Sequence, residues 1–170
     1  MMNHPEQSLH LAAFEVKIPG DPVPQGRGKA ARWRSRDGRE GIAVRDPQKS
    51  RDWKGRAQAL MLAELERQGL AVPLVPAGEA AELIVVALYR CPRSEERKRE
   101  PRPLRPHLKR GDLDNIVKAV KDAGTGVLWV DDSQVWRVSA EKLIAAQGEP
   151  GRVKIAVIRV TVEGVAGGAS

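Results

Sequence analysis

Apolar residues recur along this chain in two periods, and the switches between them outline its elements. Phe14, Val16 and Ile18 alternate with Glu15 and Lys17, the period of a half-buried strand, and Pro19-Gly20 ends it. From Asp21 to Arg45 apolar periodicity is missing. The stretch is rich in Gly, Pro and Arg, with Arg27, Lys29, Arg32, Arg34, Arg36 and Arg39 around Trp33, and reads as a basic loop or irregular hairpin. Trp53, Ala57, Leu60, Met61 and Leu65 then return at helical spacing, which predicts a helix capped by Ser50, running to about Gln68 and closed by Gly69. Pro73 to Gly78 is a turn-rich connector, and Ala81 to Tyr89 is an apolar run of strand length, expected at the centre of a sheet.

The stretch from Arg90 to Arg110 carries nine basic residues and four prolines, Pro92, Pro101, Pro103 and Pro106, which disfavour a continuous helix. It is expected to be an exposed, mobile basic loop. Beyond it, Asp114 to Ala123 reads as a helix with Ile116, Val117 and Val120 on its apolar face, stopped by Gly124-Thr125-Gly126. Val127 to Val130 is a brief strand or turn leading into Asp131-Asp132. Val135 to Ile144 and Val153 to Val162 are two further strands joined through Gln147 to Gly151, expected as an antiparallel pair. Residues 1–170 therefore predict a single α+β domain, a small mixed β-sheet packed by two main helices. Its ends, 1–11 and 164–170, are expected to be flexible, and its basic loops fall at 21–45 and 90–110.

A hydrophobic share of 41% and a charged share of 30% suit a folded globular protein and are too apolar for a disordered one. Lys and Arg number 29 against 22 Asp and Glu, a net charge of +7, so the long-range field attracts polyanions and makes nucleic acid the leading partner class. The run Leu83 to Leu88 falls far short of the roughly 18 to 20 apolar residues needed to cross a bilayer, so no membrane role is expected. Met1 to Leu11 lacks the basic, apolar and small-residue segments of a secretory signal, and the expected location is cytoplasmic. The lone Cys91 can form neither an internal disulfide nor a cysteine-based zinc site; at a strand end it reads as a small apolar residue.

Chemistry concentrates after the second basic stretch. Asp112 and Asp114 stand two apart at a helix entry, where both carboxylates can turn toward one point and a shared cation would relieve their repulsion. Mg²⁺ commonly takes only one or two protein carboxylates and completes its shell with water and phosphate oxygens, which an Asp-x-Asp pair fits. A calcium loop of the EF-hand kind is excluded, because its required positions hold Ile116, Val117 and Ala123. Capping alone would also account for Asp114 and Asn115, and Lys118 could form only surface pairs with Asp114 and Asp122. In the functional reading the Lys118 ammonium, roughly 5 to 6 Å along the helix from Asp114, stabilises negative charge on a phosphate under attack. Asp131-Asp132 alone is merely a turn. Together with a lysine and basic loops, these acids match metal-assisted phosphodiester hydrolysis. Arg27, Lys29, Arg32, Arg34, Lys109 and Arg110 are the candidates for positioning DNA, and His107 is expected to have a structural or loop role.

Pro106-His107, Lys109-Arg110, then Asp112-Leu113-Asp114-Asn115-x-x-Lys118 through Asp122, and finally Asp131-Asp132-Ser133-Gln134-Val135 resemble the RusA family of Holliday junction resolvases, common in prophages. The early Ile18-Pro19-Gly20-x-Pro22-Val23-Pro24 with its following arginines is similar to the opening of that family. The resemblance implies that Asp112, Asp114 and Asp132 bind metal and that Lys118 is the catalytic lysine, with Asp131 a neighbour; Asn115 is read as a cap from its place at the helix start. It further implies a Mg²⁺- or Mn²⁺-dependent homodimer that nicks four-way DNA junctions symmetrically. Ala-Gly-Thr-Gly after Asp122 departs from the family's usual Ala-Leu and leads us to expect a shortened or loosened helix end before Asp132; the loop around Arg93 to Pro106 is also longer than in compact members. Two other readings of the same residues are a branched-DNA-binding protein without catalysis and a metal nuclease acting on flaps, forks or RNA. Composition and spacing point to a metal nuclease, whereas the choice of Holliday junctions rests on the resemblance.

Overall fold

Residues 12–109 and 111–161 are described by the structure, a computed structural model. The segments expected to be flexible, 1–11 and 164–170, lie outside them. The most continuous apolar run, Ala80–Tyr89 (β4), becomes the central strand of a five-stranded sheet, as expected. On one side of it lies Arg152–Val160 (β7) and then Ala12–Pro19 (β1), each antiparallel to its neighbour. On the other lies Val135–Ile144 (β6), parallel to β4, and then the two-residue Arg105–Pro106 (β5), antiparallel to β6. The sheet is mixed, and with two helices the architecture is the expected α+β one.

The expected β6–β7 pair does not form. These strands flank β4 on opposite sides, so the connection through Gln147 crosses the end of the sheet instead of closing a hairpin. Burial supplies the reason: Ala81, Leu83, Val85 and Ala87 are completely buried, and a strand this apolar is best accommodated with both backbone edges paired.

Two helices cover the face that β4 shares with Phe14 and Ile18 of β1 and with Val153, Ile155 and Val157 of β7. The first, Gln48–Gln68 (α1), buries a single stripe of Ser50, Trp53, Ala57, Met61 and Leu65 and ends on Gly69, whose φ of 65° provides the left-handed cap. The second, Leu113–Gly124 (α2), buries Ile116, Ala119, Val120 and Ala123. A fully buried Ile or Val contributes about 1.5–3 kcal/mol. Ile116 and Val120 together thus hold in place a twelve-residue helix that would be marginal alone.

Three local expectations are corrected. Ser50 is not a cap: α1 begins at Gln48 after Pro47, and the buried Ser50 Oγ accepts a hydrogen bond from the Gly26 amide (3.2 Å) and donates to the Pro24 carbonyl (3.4 Å). The 21–45 stretch, expected as a basic loop or irregular hairpin, does contain a hairpin, but a regular antiparallel one: Lys29–Arg34 (β2) and Glu40–Arg45 (β3) pair without a break and form a sheet of their own. The helix end before Asp132 is not loosened either. α2 continues to Gly124, and a Cβ there would lie 2.6 Å from Cζ2 of the fully buried Trp129, so that only glycine lets the indole close against the helix. From residue 90 to 109 the second basic stretch is largely exposed, as expected, yet it buries Cys91 and is tied to the body. The Gln147 side chain accepts from the amides of Arg97 (2.9 Å) and Arg102 (3.2 Å), and β5 pairs with Leu143 and Ile144.

Candidate active site

A local device aims each part of the acidic cluster. Gly111, with φ 102°, precedes α2 in a conformation that L side chains rarely adopt, and a Cβ there would meet the Tyr89 hydroxyl at 3.1 Å. From β6, Lys142 Nζ donates to the carbonyls of Lys109 (3.0 Å) and Gly111 (2.6 Å), fixing the approach to the helix. Asp112 is the N-cap residue, exposed, with no side-chain capping bond; its Oδ2 accepts from Asn115 Nδ2 at 3.4 Å. Asn115, expected as the cap, instead sits inside the first turn. Its carbonyl accepts from the Gln25 amide at 2.9 Å, which ties the N-terminal segment to this helix.

Asp131 and Asp132 separate cleanly. Asp131 caps the short 3-10 turn Asp132–Gln134 by accepting from the Ser133 amide (2.9 Å), and that bonding holds its carboxyl below the usual carboxylate range. Gln134 completes a capping box: its Oε1 accepts from the amides of Val130 (2.8 Å) and Asp131 (3.1 Å), while its Nε2 donates to the carbonyls of Pro76 (2.7 Å) and Glu79 (3.0 Å). Asp132 is left to face α2, where it pairs with Lys121 at 3.3 Å.

Asp114, Lys118 and Lys121 share one helix face and, with Leu113, Val117, Ala140 and Asp132, line an open cleft of about 540 Å³. Asp112 is not among the lining residues. Lys121 lies seven residues beyond Asp114, about 10 Å along the helix axis, and it is with Lys121 that Asp132 pairs. Accordingly, no three His, Cys, Asp or Glu side chains among the described residues are grouped closely enough to hold a metal ion. What the cleft does offer is two carboxylates, Asp114 and Asp132, and oxygen donors only. That set suits a hard cation that keeps most of its water.

The expected surface pairs of Lys118 are absent among the described residues: Asp122 is taken by Lys54 (3.5 Å), and no carboxylate lies within 4 Å of the Lys118 amine. Lys54 also bonds Asp46 at 2.7 Å, and Asp46 is held below its ordinary range by that bond first, then by Gln25, with a smaller contribution from the Lys118 charge. Lys118 therefore carries its charge into the cleft unneutralised by a contact pair. Sequence reasoning missed Lys121, Lys142 and Lys54, and it named Gln134 only within the resemblance, without a role. The Asp131-x-x-Gln134 spacing of a capping box was the one signal able to reveal any of them.

The basic candidates are dispersed. Arg27 is exposed before the hairpin, and Arg32 and Arg34 are exposed on it, Arg34 pairing with Glu40 at 3.1 Å. Lys29 begins β2, but its side chain is outside the described residues, as is Arg110 entirely. Lys109 pairs with Glu95 at 2.8 Å; this bond and a second from Arg105 hold the Glu95 carboxyl down to about 2. His107 stacks on Tyr89 with ring centroids 4.5 Å apart, and burial lowers its pKa, the structural role expected for it. No helix among the described residues is long and apolar enough to cross a membrane.

Comparison with known proteins gives two matches. The family model described as Endodeoxyribonuclease RusA matches residues 19–158, a span that contains the whole acidic cluster, Lys118 and the hairpin. The uncharacterized protein YqaN of Bacillus subtilis (strain 168) is 32% identical over 158 residues, covering 89% of this chain and 99% of that protein.

Proposed function

Because the chain belongs to the RusA family of endodeoxyribonucleases, we propose that it is a divalent-cation-dependent, structure-selective nuclease that resolves Holliday junctions by paired symmetrical nicks. The observation that carries this reading is the shared cleft of Asp114, Lys118, Lys121 and Asp132 on a chain of net charge +7. In this reading Asp114 and Asp132, the carboxylates that line the cleft, would hold Mg²⁺ or Mn²⁺, with Asp112 outside that lining as a further candidate ligand. When bound, that ion supplies an activated water and neutralises phosphate charge. Lys118 steadies the scissile phosphate through its unpaired ammonium, and Lys121 keeps Asp132 turned into the cleft. The exposed Arg27, Arg32, Arg34 and Lys109, with Lys29 and Arg110, hold the DNA backbone. One such cleft lies among the described residues of the chain, so symmetrical nicking of a nearly two-fold junction calls for a homodimer.

The test is a gel assay of purified protein on a four-way junction, a fork, a flap and a linear duplex, with and without Mg²⁺. Cutting of the junction only with the cation, and its abolition by Asp114→Asn with junction binding preserved or tightened, is the expected result. Full cutting by Asp114→Asn refutes the site assignment, and equal cutting of fork or flap refutes the junction preference.

A further inference from the structure

The β2–β3 hairpin stands apart from the main sheet, and its sequence explains why it cannot join it. On one face Arg32 and Arg34 of β2 stand opposite Ile42 and Glu40 of β3, and on the other Ala31 and Trp33 stand opposite Ala43 and Gly41, so neither face is apolar enough to be buried. Between residues 27 and 45 the chain has seven basic residues against two acidic ones, Asp37 and Glu40. The tip is a tight turn: the Ser35 amide donates to the Arg39 carbonyl at 2.8 Å, and Gly38 takes φ 84°. Isolated two-stranded hairpins are marginal in water, so what this one displays calls for a reason.

It displays Trp33. The ring lies across Gly41 of the opposite strand, where a Cβ would meet Nε1 at 2.8 Å and Cε2 at 3.0 Å; only glycine permits this approach. With part of the indole covered by the backbone, the side chain remains 42% exposed, and Arg32 and Arg34 flank it in sequence. Both feet of the hairpin are fastened beside α2. The Gln25 amide bonds the Asn115 carbonyl, and Asp46 bonds Lys54, which also reaches Asp122. Gly41, the partner of Trp33, is five residues from Asp46, so Trp33 is carried about 17 Å of extended strand away from the foot of the hairpin.

We propose that Trp33 is a stacking surface for an unstacked base at the branch point of the DNA, while Arg32 and Arg34, which alternate with it and so project from the other face of the ribbon, attract the phosphates of an adjoining arm. This rests on the branched-DNA reading above and assigns to it the residue that senses the branch. Every base has a π-face, so a flat, partly covered indole on a basic ribbon recognises exposed bases regardless of sequence. In continuous duplex those faces are closed. Trp33 therefore discriminates by structure, whereas the arginines, acting on phosphate, bind branched and linear DNA alike.

The experiment compares the full-length protein with Trp33→Phe, Trp33→Val and Arg32→Ala in binding a four-way junction and a linear duplex of equal length, in EDTA so that nothing is cut. Permanganate oxidation of thymines at the branch point reports unstacking. Trp33→Val keeps strand propensity but removes the stacking face. It is expected to weaken junction binding about 5- to 100-fold, leave duplex binding within about twofold, and abolish the added permanganate reactivity. Trp33→Phe should retain most of both, and Arg32→Ala should weaken both DNAs equally. Unchanged junction binding by Trp33→Val, or equal loss on both DNAs, overturns the proposal. The wild-type junction-cutting assay is read separately. Selective junction loss in a protein that never cuts would uphold the role of Trp33 while refuting the nuclease reading.

Discussion

Replacing Gln134 by Ala removes four hydrogen bonds with one substitution, two accepted from Val130 and Asp131 and two donated to Pro76 and Glu79. A net protein hydrogen bond contributes about 0.5–1.5 kcal/mol. Val130 and Asp131 are exposed, so water recovers much of the first pair, whereas the half-buried Pro76 and Glu79 carbonyls lose more. The expected loss is about 2 kcal/mol, which at a urea m-value of roughly 2 kcal/mol/M lowers the unfolding midpoint by about 1 M. Urea titrations followed by far-UV circular dichroism measure it. Gln134→Glu keeps the two acceptor bonds but turns a carboxylate toward two carbonyls, so at neutral pH it is expected to be no more stable than the Ala variant. Because the same side chain fixes the turn that presents Asp132, Gln134→Ala is also expected to slow junction nicking at least about tenfold while junction affinity holds. A midpoint within about 0.2 M of wild type, with nicking unimpaired, would refute the claim that this one amide holds the turn.

Other outcomes follow from packing and charge. Gly124→Ala drives a methyl to 2.6 Å from Trp129 Cζ2. Overpacking of about 1–3 kcal/mol outweighs the gain of at most about 1 kcal/mol from helix propensity, and calorimetry is expected to show a Tm about 3–6 °C lower; an equal or higher Tm counts against the close packing described. The carboxyl of Glu95 is depressed from 4.5 to about 2 by bonds from Lys109 and then Arg105. The stability it contributes is thus complete above pH 4.5 and is lost as the pH falls toward 2. Hydrogen exchange at residues 93–109, corrected for intrinsic rates, should rise across that window in the wild type. In Glu95→Gln it should already be high at neutral pH, and a flat wild-type profile would speak against the pairing.

How much of this was legible in the sequence depends on how local the cause is. The helix at Asp114 was readable because Ile116 and Val120 repeat at its period and the glycines stop it. The central strand was readable because nothing but a buried strand suits Ala81 to Tyr89. The partners of β6 and β7 were not, since each alternates like an ordinary half-buried strand and only the demands of β4 decide where they go. In the hairpin a two-residue period was present, Ala31 and Trp33 against Arg32 and Arg34, but its apolar positions are too few to stand out from the basic composition. Among the acids, sequence separated Asp132 from Asp131 only by resemblance; the structure adds the physical difference, one carboxylate spent on a turn and one facing α2. Lys121 and Lys54 were invisible because Asp132, eleven residues on, and Asp46, eight residues back, lie outside the three- and four-residue spacings that one helix brings together.

The two feet of the hairpin have a wider consequence. Gly26 contacts Pro47, its amide is held by Ser50, and Asp46 is held by Lys54, so the chain leaves the body and returns to it within about one turn of α1. Everything between those points is bounded by a closed base and can be lengthened, shortened or exchanged with little loop-closure cost. Among the described residues the cleft along α2 meets only the feet, through Gln25 on Asn115 and Lys54 on Asp122, and would not feel a change made beyond them. The chain is thus built as a cutting body with a replaceable probe, and the kind of DNA it selects can diverge while its chemistry stays fixed.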